Sequence, residues 1–434
     1  MTRPPRRSGD VVTASLAAAI AHGLRMVANL VVVKMIALYV GPGGFGLLGN
    51  FMSLITMTTV FAGGGIATGI TKYVAEFSHR PRRLLRFLGA TVVYGGVFSL
   101  LVAAATLLFA AAISTALFST AEYAWLIRWL GPAHLLAFIG SAVIAAGNGL
   151  RQPKEYARIT ILGHLIALPV AWLLIRTLGI AGSGLALLFV MSCTGVPAIW
   201  VALRSPLTRR IVPGIDRTDF LGLLRFSTMA VTSAVAFPTA EIAIRKLLTA
   251  QLGNEATGLW QATSRLSGAY LGFFTVFLAT YYMPRLASLA SGRDQVRVVW
   301  RYVAVIAPSF ALFAVGIHLA RHLVIRLLFS EAFAGMAPLM GWQLLGDTLR
   351  VSAYTIGFLG IARGSVWLYV GAEVLQAGML TLFVTRAVHA APSLLSVQHA
   401  YVLSYGLYLA VAVAALVWFH QRQPVTETSR TLTG

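Results

Sequence analysis

The sequence predicts an all-α integral membrane protein with about twelve transmembrane helices in two six-helix bundles. Hydrophobic residues make up 58% of the 434 residues and charged residues 11%, whereas soluble domains have roughly 45–50% and about 25%. Apolar runs of about 20 residues, each long enough to cross roughly 30 Å of hydrocarbon as a helix, recur along the whole chain. One long polar stretch, residues 204–219, lies near the midpoint.

Six predicted spans lie on each side of that polar stretch. They are Val11–Leu38, Phe45–Ile70, Phe87–Ile113, Ala124–Gly147, Ile159–Thr177, Ile180–Leu203, Leu221–Ile244, Thr257–Met283, Val298–Ala320, Met336–Ile361, Val366–Arg386 and Val397–Phe419. The first apolar run is too long for a signal sequence, so we expect an uncleaved span. This gives an N-terminal bundle (1–203), a water-exposed cytoplasmic linker (204–219), a C-terminal bundle (220–420) and a cytoplasmic tail (421–434).

The distribution of basic residues predicts the orientation. If the amino terminus is cytoplasmic, 23 of the 34 Lys and Arg lie on the cytoplasmic side, counting terminal turns of spans with the adjacent loop, while 6 lie outside and 5 within spans. Lys and Arg collect in cytoplasmic loops of membrane proteins. We therefore expect both termini in the cytoplasm, and the net charge of +21 needs no nucleic acid partner.

A weak internal repeat supports the division into two bundles. A shift of 212 residues places Lys34 on Lys246, Gly46 on Gly258, and Arg151 on Arg363. Because each half has six predicted spans, both halves begin on the same side. They would be parallel repeats, an arrangement found in secondary transporters.

Basic residues inside or beside the spans are the candidate binding groups. Ionisable residues within a membrane are costly, so each supports a functional hypothesis. The candidates for substrate binding are Arg25, Lys34, Lys246, Arg265 and Arg350. Facing one another, they would form a cationic cavity suited to a phosphate group. For Lys34, Arg245 and Lys246 the alternative, side chains that extend to the headgroups, is equally consistent with the sequence.

Three acidic residues, Glu241, Asp347 and Glu373, are candidates for ion coupling. Asp347 and Arg350 are three residues apart and could pair on one helix face. Such a pair could neutralise two buried charges or take part in coupling. Glu373 has no cation three or four residues away, so it is the better candidate for binding a proton.

Several enzyme signatures are absent. The sequence has no GxxxxGK[ST] phosphate loop and no HExxH, GxSxG or CxxC motif, and it has a single cysteine, Cys193. The loops predicted outside the membrane are short. We expect neither an enzyme nor a bound cofactor or metal.

Three blocks resemble Wzx-type flippases of the multidrug/oligosaccharidyl-lipid/polysaccharide exporter superfamily. They are GPGGFGLLGNFMSLITMTTVFAGGGIATGITKYVAEF (Gly41–Phe77), IRKLLTAQLGNEATGLWQATSRLSGAYL (Ile244–Leu271) and WQLLGDTLRVSAYTIGF (Trp342–Phe358). The resemblance implies a MATE-like fold in the bacterial inner membrane. It also implies translocation of an undecaprenyl-diphosphate-linked glycan, the repeat unit of O-antigen, common antigen or exopolysaccharide, from the cytoplasmic to the periplasmic leaflet. A polysaccharide polymerase and a chain-length regulator are candidate partners.

Two alternatives remain at this point. A multidrug antiporter of the same fold would favour an acidic or aromatic cavity for cationic drugs, whereas the candidate residues here are basic. A non-transporting subunit of a polysaccharide synthesis complex would need no charge within the membrane.

Overall fold

A computed structural model describes residues 8–289, 291–363 and 365–422. Nearly all of these residues are helical, and none of them is in a β-strand. The α-helices are α1 (Ser8–Phe61), α2 (Ala67–Phe77), α3 (Pro81–Leu108), α4 (Ala110–Phe118), α5 (Ala124–Arg128), α6 (Leu130–Gly149), α7 (Pro153–Ser192), α8 (Gly195–Arg204), α9 (Arg217–Phe277), α10 (Met283–Ala287), α11 (Gly292–Leu319), α12 (Arg321–Leu328), α13 (Ala337–Ala362), α14 (Val366–Ala390) and α15 (Leu394–Gln421).

Three helices are much longer than a bilayer requires, and a glycine interrupts each of them. Helices α1, α7 and α9 have 54, 40 and 61 residues, whereas about 20 cross the hydrocarbon core. Gly41, Gly179 and Gly253 break them with φ angles of 68°, 55° and 85°. Glycine enters this left-handed region without a Cβ clash. Each long helix therefore consists of two consecutive segments.

Eight stretches of the described residues are long and apolar enough to cross a membrane. Three of them contain the glycine breaks and so supply two segments each. Helix α13 is not among the eight, because polar residues such as Gln343 and Asp347 lower its hydropathy. Counted with α13, the described residues provide twelve segments, and the predicted all-α membrane fold is confirmed.

The backbone extends the predicted internal repeat. Gly41 and Gly253 are 212 residues apart, and their ψ angles of −176° and 174° are almost the same. Helices α3 and α11 both have 28 residues and begin at Pro81 and Gly292. The glycine break therefore recurs at the shift of 212 residues that aligns the three residue pairs, and the 28-residue helix recurs within one residue of that shift.

The chain forms two compact units. Unit 1 comprises Met1–Thr249, Gly253–Gly258 and Ile325–Phe333, and unit 2 comprises Ala250–Leu252, Leu259–Val324 and Ala334–Gly434. The seventh predicted span therefore belongs to unit 1. The compact units are not divided at the polar stretch 204–219, and the predicted pair of six-helix bundles stays a prediction.

Part of the polar stretch packs against the rest of unit 1, although most of its residues are exposed. Asp219 is only 5% exposed, and the Arg83 guanidinium donates to both of its carboxylate oxygens. Leu207 and Ile211 pack against the apolar cluster around α2 and α3. At Gly89 the contact is so close that a Cβ would lie 2.2 Å from the Val212 carbonyl oxygen. The expected water-exposed linker is in fact partly packed.

Helix α13 lies in the core of unit 2. Helix α13 packs against α11, α14 and α15. Tyr282 and Phe310 are fully buried there, with Leu344 and Val351 of α13. The Tyr282 hydroxyl donates to the Thr355 carbonyl at 3.0 Å, which ties the residues after α9 to α13. This packing positions the polar face of α13 described next.

Candidate functional site

Helix α13 contains a fully buried carboxylate, that of Asp347, which is 0% exposed. It accepts hydrogen bonds from the hydroxyl groups of Ser267 at 2.8 Å, Tyr401 at 2.6 Å and Tyr270. The Gln343 amide donates to it at 3.3 Å and 3.4 Å. All four partners are donors, and an ionised carboxylate only accepts. The arrangement therefore fits a charged Asp347.

Arg350, one turn further along α13, lies among tyrosines. Its guanidinium donates to the Tyr354 hydroxyl at 3.0 Å and 2.9 Å, and to the Tyr401 hydroxyl at 3.4 Å. Its Cζ lies 5.2 Å from the ring centroids of both Tyr354 and Tyr405, within the range of a cation–π contact. Tyr401 bonds to both charges and so links Arg350 to Asp347. The predicted association of this pair runs through a hydroxyl group.

Glu373 on α14 is half-buried and lines a cavity of about 540 Å³, together with Tyr354 and Tyr408. None of the described residues donates a hydrogen bond to it. Helix α13, which contains Arg350, packs against α14.

In unit 1, Arg245 is the largest fully buried side chain, with 0% exposed. Nε donates to the Asn50 amide oxygen at 2.8 Å, and a terminal N–H group donates to the Ser53 hydroxyl. Nη1 lies 3.5 Å from the Glu241 carboxylate, which also accepts from Ser53 at 2.9 Å. Arg245 thus belongs to a buried polar network, and the interpretation that it extends to the headgroups is wrong. Glu241 is its ion-pair partner.

Lys34 is bound to a helix terminus within unit 1. Its ammonium group donates to the carbonyl oxygen of Arg326 at 2.7 Å and to that of Phe329. These carbonyls lie at the end of α12, where carbonyl oxygens lack partners within the helix and attract cations. Two of the three N–H donors of Lys34 are used in this way. The remaining one is available to an anion.

The other predicted binding residues lie outside these networks. Arg25 and Lys246 are exposed residues of unit 1, and Arg265 is a half-buried residue of unit 2. None of the bonds described above includes them. Their role in substrate binding stays a prediction.

Sequence reasoning missed the tyrosines of unit 2, because it weighed only groups that carry a charge. Tyr270, Tyr354, Tyr401 and Tyr405 provide the hydroxyl groups or rings around the two charges. Gln376 donates to Tyr354 at 3.0 Å and to Tyr405 at 2.6 Å. One signal was present: Tyr401, Tyr405 and Tyr408 follow a spacing of four and three residues, which places them on one helix face.

Within the described residues, no group of three or more His, Cys, Asp and Glu side chains is placed to hold a metal ion.

Comparison with known proteins places the chain in a family. Residues 12–290 match the family described as polysaccharide biosynthesis protein. This chain belongs to that family. The chain is also 34% identical over 416 residues to the lipid III flippase of Escherichia coli (strain K12) and to that of Shigella flexneri, an alignment covering 95% of the chain and 100% of each relative.

Solved structures show the fold. An inward-facing multidrug resistance MATE family transporter of the MOP superfamily has a TM-score of 0.72 at 12% identity, over 93% of this chain and 98% of that one. An inward-closed structure of the lipid II flippase MurJ has a TM-score of 0.65 at 12% identity, over 94% and 90%. The expected MATE-like fold is confirmed.

Proposed function

We propose that this protein is a flippase for a lipid-linked oligosaccharide. The observation that supports this most is the 34% identity to lipid III flippases over their whole length. Membership of a polysaccharide biosynthesis family points to the same class of substrate. The activity is transport, and no covalent bond of the substrate needs to change.

The substrate class follows from what a membrane excludes. A sugar-diphosphate headgroup is too polar to enter hydrocarbon, whereas a polyprenyl tail remains in the bilayer. Desolvated phosphate requires cations and hydrogen-bond donors. Arg25, Lys34, Lys246, Arg265 and Arg350 remain our candidates for this role. Translocation would run by alternating access from the cytoplasmic to the periplasmic leaflet of the bacterial inner membrane, with both termini cytoplasmic and a polymerase and chain-length regulator as partners.

For ion coupling, Glu373 is the strongest of the three candidates. Asp347 is surrounded by donors and linked to Arg350, and Glu241 is paired with Arg245, so protonating either would disturb an established network. Glu373 lines a cavity and accepts no hydrogen bond from the described residues. It would take up a proton at the smallest structural cost.

Reconstitution tests the proposed function. The purified full-length protein is placed in liposomes containing a fluorescent undecaprenyl-diphosphate-linked oligosaccharide, and outward-facing label is reduced chemically. Label that starts in the inner leaflet is protected from the reductant until its lipid crosses the bilayer. We expect this label to become reducible at a rate well above the rate in protein-free liposomes. Equal rates, together with accumulation of a cationic dye in the same liposomes, would instead favour the multidrug antiporter.

A further inference from the structure

A second cavity, of about 720 Å³, lies in unit 1 at the end that contains the polar stretch. Its walls come from α3, α6, α8 and residues 205–213, and most of the lining is apolar, including Leu88, Leu135 and Val143. The volume is within the range of about 300–1,000 Å³ typical of ligand sites. None of the residues to which we assign a role in transport lines it.

The rim of this cavity is basic. The Arg204 guanidinium lies 4.1 Å from the centroid of the Trp200 ring, and both residues line the cavity. Arg158 also lines it and is paired at 3.4 Å with Glu155, the one acidic lining residue. Within the described residues, no carboxylate lies within ion-pair distance of Arg204. A guanidinium stacked on a ring keeps its N–H edge free to bind phosphate.

The linker adds positive charge beside the cavity. Arg209 and Arg210 are exposed, while their neighbours Thr208 and Ile211 line the wall. The distribution of basic residues predicts this end of unit 1 to be cytoplasmic, where anionic lipids create a negative surface potential. The cavity therefore combines an apolar interior that suits acyl chains with arginines that suit an anionic headgroup.

We infer that this cavity is a binding site for an anionic phospholipid, separate from the path of the transported lipid. The acyl chains occupy the apolar interior, and the phosphate accepts hydrogen bonds from Arg204. Selectivity for a net negative headgroup over a zwitterionic one comes from the surrounding arginines, each worth about fivefold in affinity. This inference does not depend on the identity of the transported glycan.

A glycine in the cavity wall provides the key variant. Gly96 lines the cavity, and a Cβ placed on it would meet no atom within 4 Å. Gly96→Leu therefore narrows the cavity without a backbone clash. Gly316→Leu is the matched control: Gly316 is also within a helix with no atom within 4 Å of its Cβ, and it lines neither of the two cavities.

The readout is quenching of Trp200 by brominated lipid. The full-length protein is placed in phosphatidylcholine nanodiscs with a small, equal fraction of dibrominated phosphatidylglycerol or dibrominated phosphatidylcholine. The chain has nine tryptophans. The fluorescence of Trp200 is therefore obtained by subtracting the fluorescence of the Trp200→Phe derivative from that of each protein. Trp172, which stacks with Arg176 at 5.1 Å and lines neither cavity, is measured in the same way.

We expect brominated phosphatidylglycerol to quench Trp200 several-fold more than brominated phosphatidylcholine, with no such preference at Trp172. Gly96→Leu should lower the preference, Arg204→Gln should lower it about fivefold, and Gly316→Leu and Arg176→Gln should leave it unchanged. Equal quenching by both lipids, or a preference that Gly96→Leu leaves unchanged, would overturn the inference. Displacement of the brominated lipid by an undecaprenyl-diphosphate-linked glycan would also overturn it, because the cavity would then belong to the transport path.

Discussion

Two buried charges within the described spans, those of Arg245 and Asp347, are balanced by different kinds of partner. Arg245 is buried against a carboxylate, an amide and a hydroxyl group. Asp347 is buried against hydroxyl groups and an amide, with Arg350 linked to it through Tyr401. Removing one member of a buried pair is costly because the other charge stays buried without compensation. Removing both members of the pair costs less stability.

The Asp347–Arg350 network can therefore be tested by stability. Arg350→Gln should lower the free energy of unfolding by about 3 kcal/mol, the lower end of the range for breaking buried pairs, because four donors still stabilise Asp347. Asp347→Asn combined with Arg350→Gln should lose less than Arg350→Gln alone. Thermal unfolding of the purified proteins in detergent measures this. A loss of unfolding free energy in the double variant that is larger than the loss in Arg350→Gln alone would show that the two charges are not coupled.

Glu373 is the test of ion coupling. Glu373→Gln removes a half-buried carboxylate that no described residue holds by a hydrogen bond, so the fold should survive while proton uptake is lost. We expect proteoliposome flipping by Glu373→Gln to run at the same rate with and without a proton gradient. Asp347→Asn in the Arg350→Gln background should retain more gradient dependence.

Glu255→Gln, at an exposed glutamate outside the candidate site, is the control for Glu373→Gln. Normal transport and a normal response to the gradient in Glu373→Gln would show that Glu373 is structural.

The sequence located ionisable residues within the spans better than it predicted the partners of those residues. Asp347, Arg350 and Glu241 could be identified because an ionisable residue within an apolar run is visible locally. Two of the four donors to Asp347, Tyr270 and Tyr401, are 77 and 54 residues away. Such pairings depend on how α9, α13 and α15 pack. Periodicity along one helix contains no information about that packing.

At the scale of helices, the segments of α1 and α9 that follow the breaks at Gly41 and Gly253 touch directly within unit 1. A Cβ on Gly46 would lie 2.8 Å from the backbone nitrogen of Gly258, and a Cβ on Gly258 would lie 1.7 Å from the Pro42 carbonyl oxygen. Small residues allow helices to approach this closely in a membrane. The aromatic rings of Phe45 and Phe329 meet edge to face beside this contact, with centroids 6.0 Å apart.

Gly258→Ala should therefore destabilise unit 1, because backbone atoms of a neighbouring segment must move. We expect a loss of about 1–3 kcal/mol, the usual cost of overpacking. Gly316→Ala, in a helix with open space around the Cβ, should raise stability by about 0.5–1 kcal/mol through helix propensity. Thermal unfolding of the two variants should give shifts of opposite sign. A shift of the same sign in both would contradict the close contact.

The positions of the helices could be predicted closely, but their connections could not. Apolar runs predicted twelve spans because burial in lipid imposes a length on each. The continuity of α1, α7 and α9 across Gly41, Gly179 and Gly253 was not predicted, since a glycine in a short polar loop looks the same as a glycine in a helix break. The packing of residues 205–213 was likewise hidden by their arginines and prolines.

At the scale of the whole molecule, the proposed transport depends on cations along the path of the headgroup. Arg25→Ala with Arg265→Ala should reduce flipping in proteoliposomes while leaving the amount of protein in the membrane unchanged, because one residue is exposed and the other half-buried. Arg→Lys at either position should restore only part of the rate, since the planar, bidentate donor geometry is lost. Full activity of the double alanine variant would contradict a cationic binding site.

The last prediction concerns the orientation of the whole chain in the membrane. It depends on the assignment of 23 basic residues to the cytoplasmic side and 6 to the periplasmic side. Three variants each contain a single cysteine, in place of Pro206, Pro424 or Glu122. Pro206 is exposed, Pro424 lies outside the described residues, and Glu122 lies in a predicted periplasmic loop. Buried Cys193 is changed to Ser. In intact cells, a thiol reagent that crosses the outer but not the inner membrane should label only the cysteine at position 122. In inverted inner-membrane vesicles it should label only those at 206 and 424, because the positive-inside bias holds both in the cytoplasm. Labelling of position 206 or 424 from the periplasm would refute the twelve-span orientation.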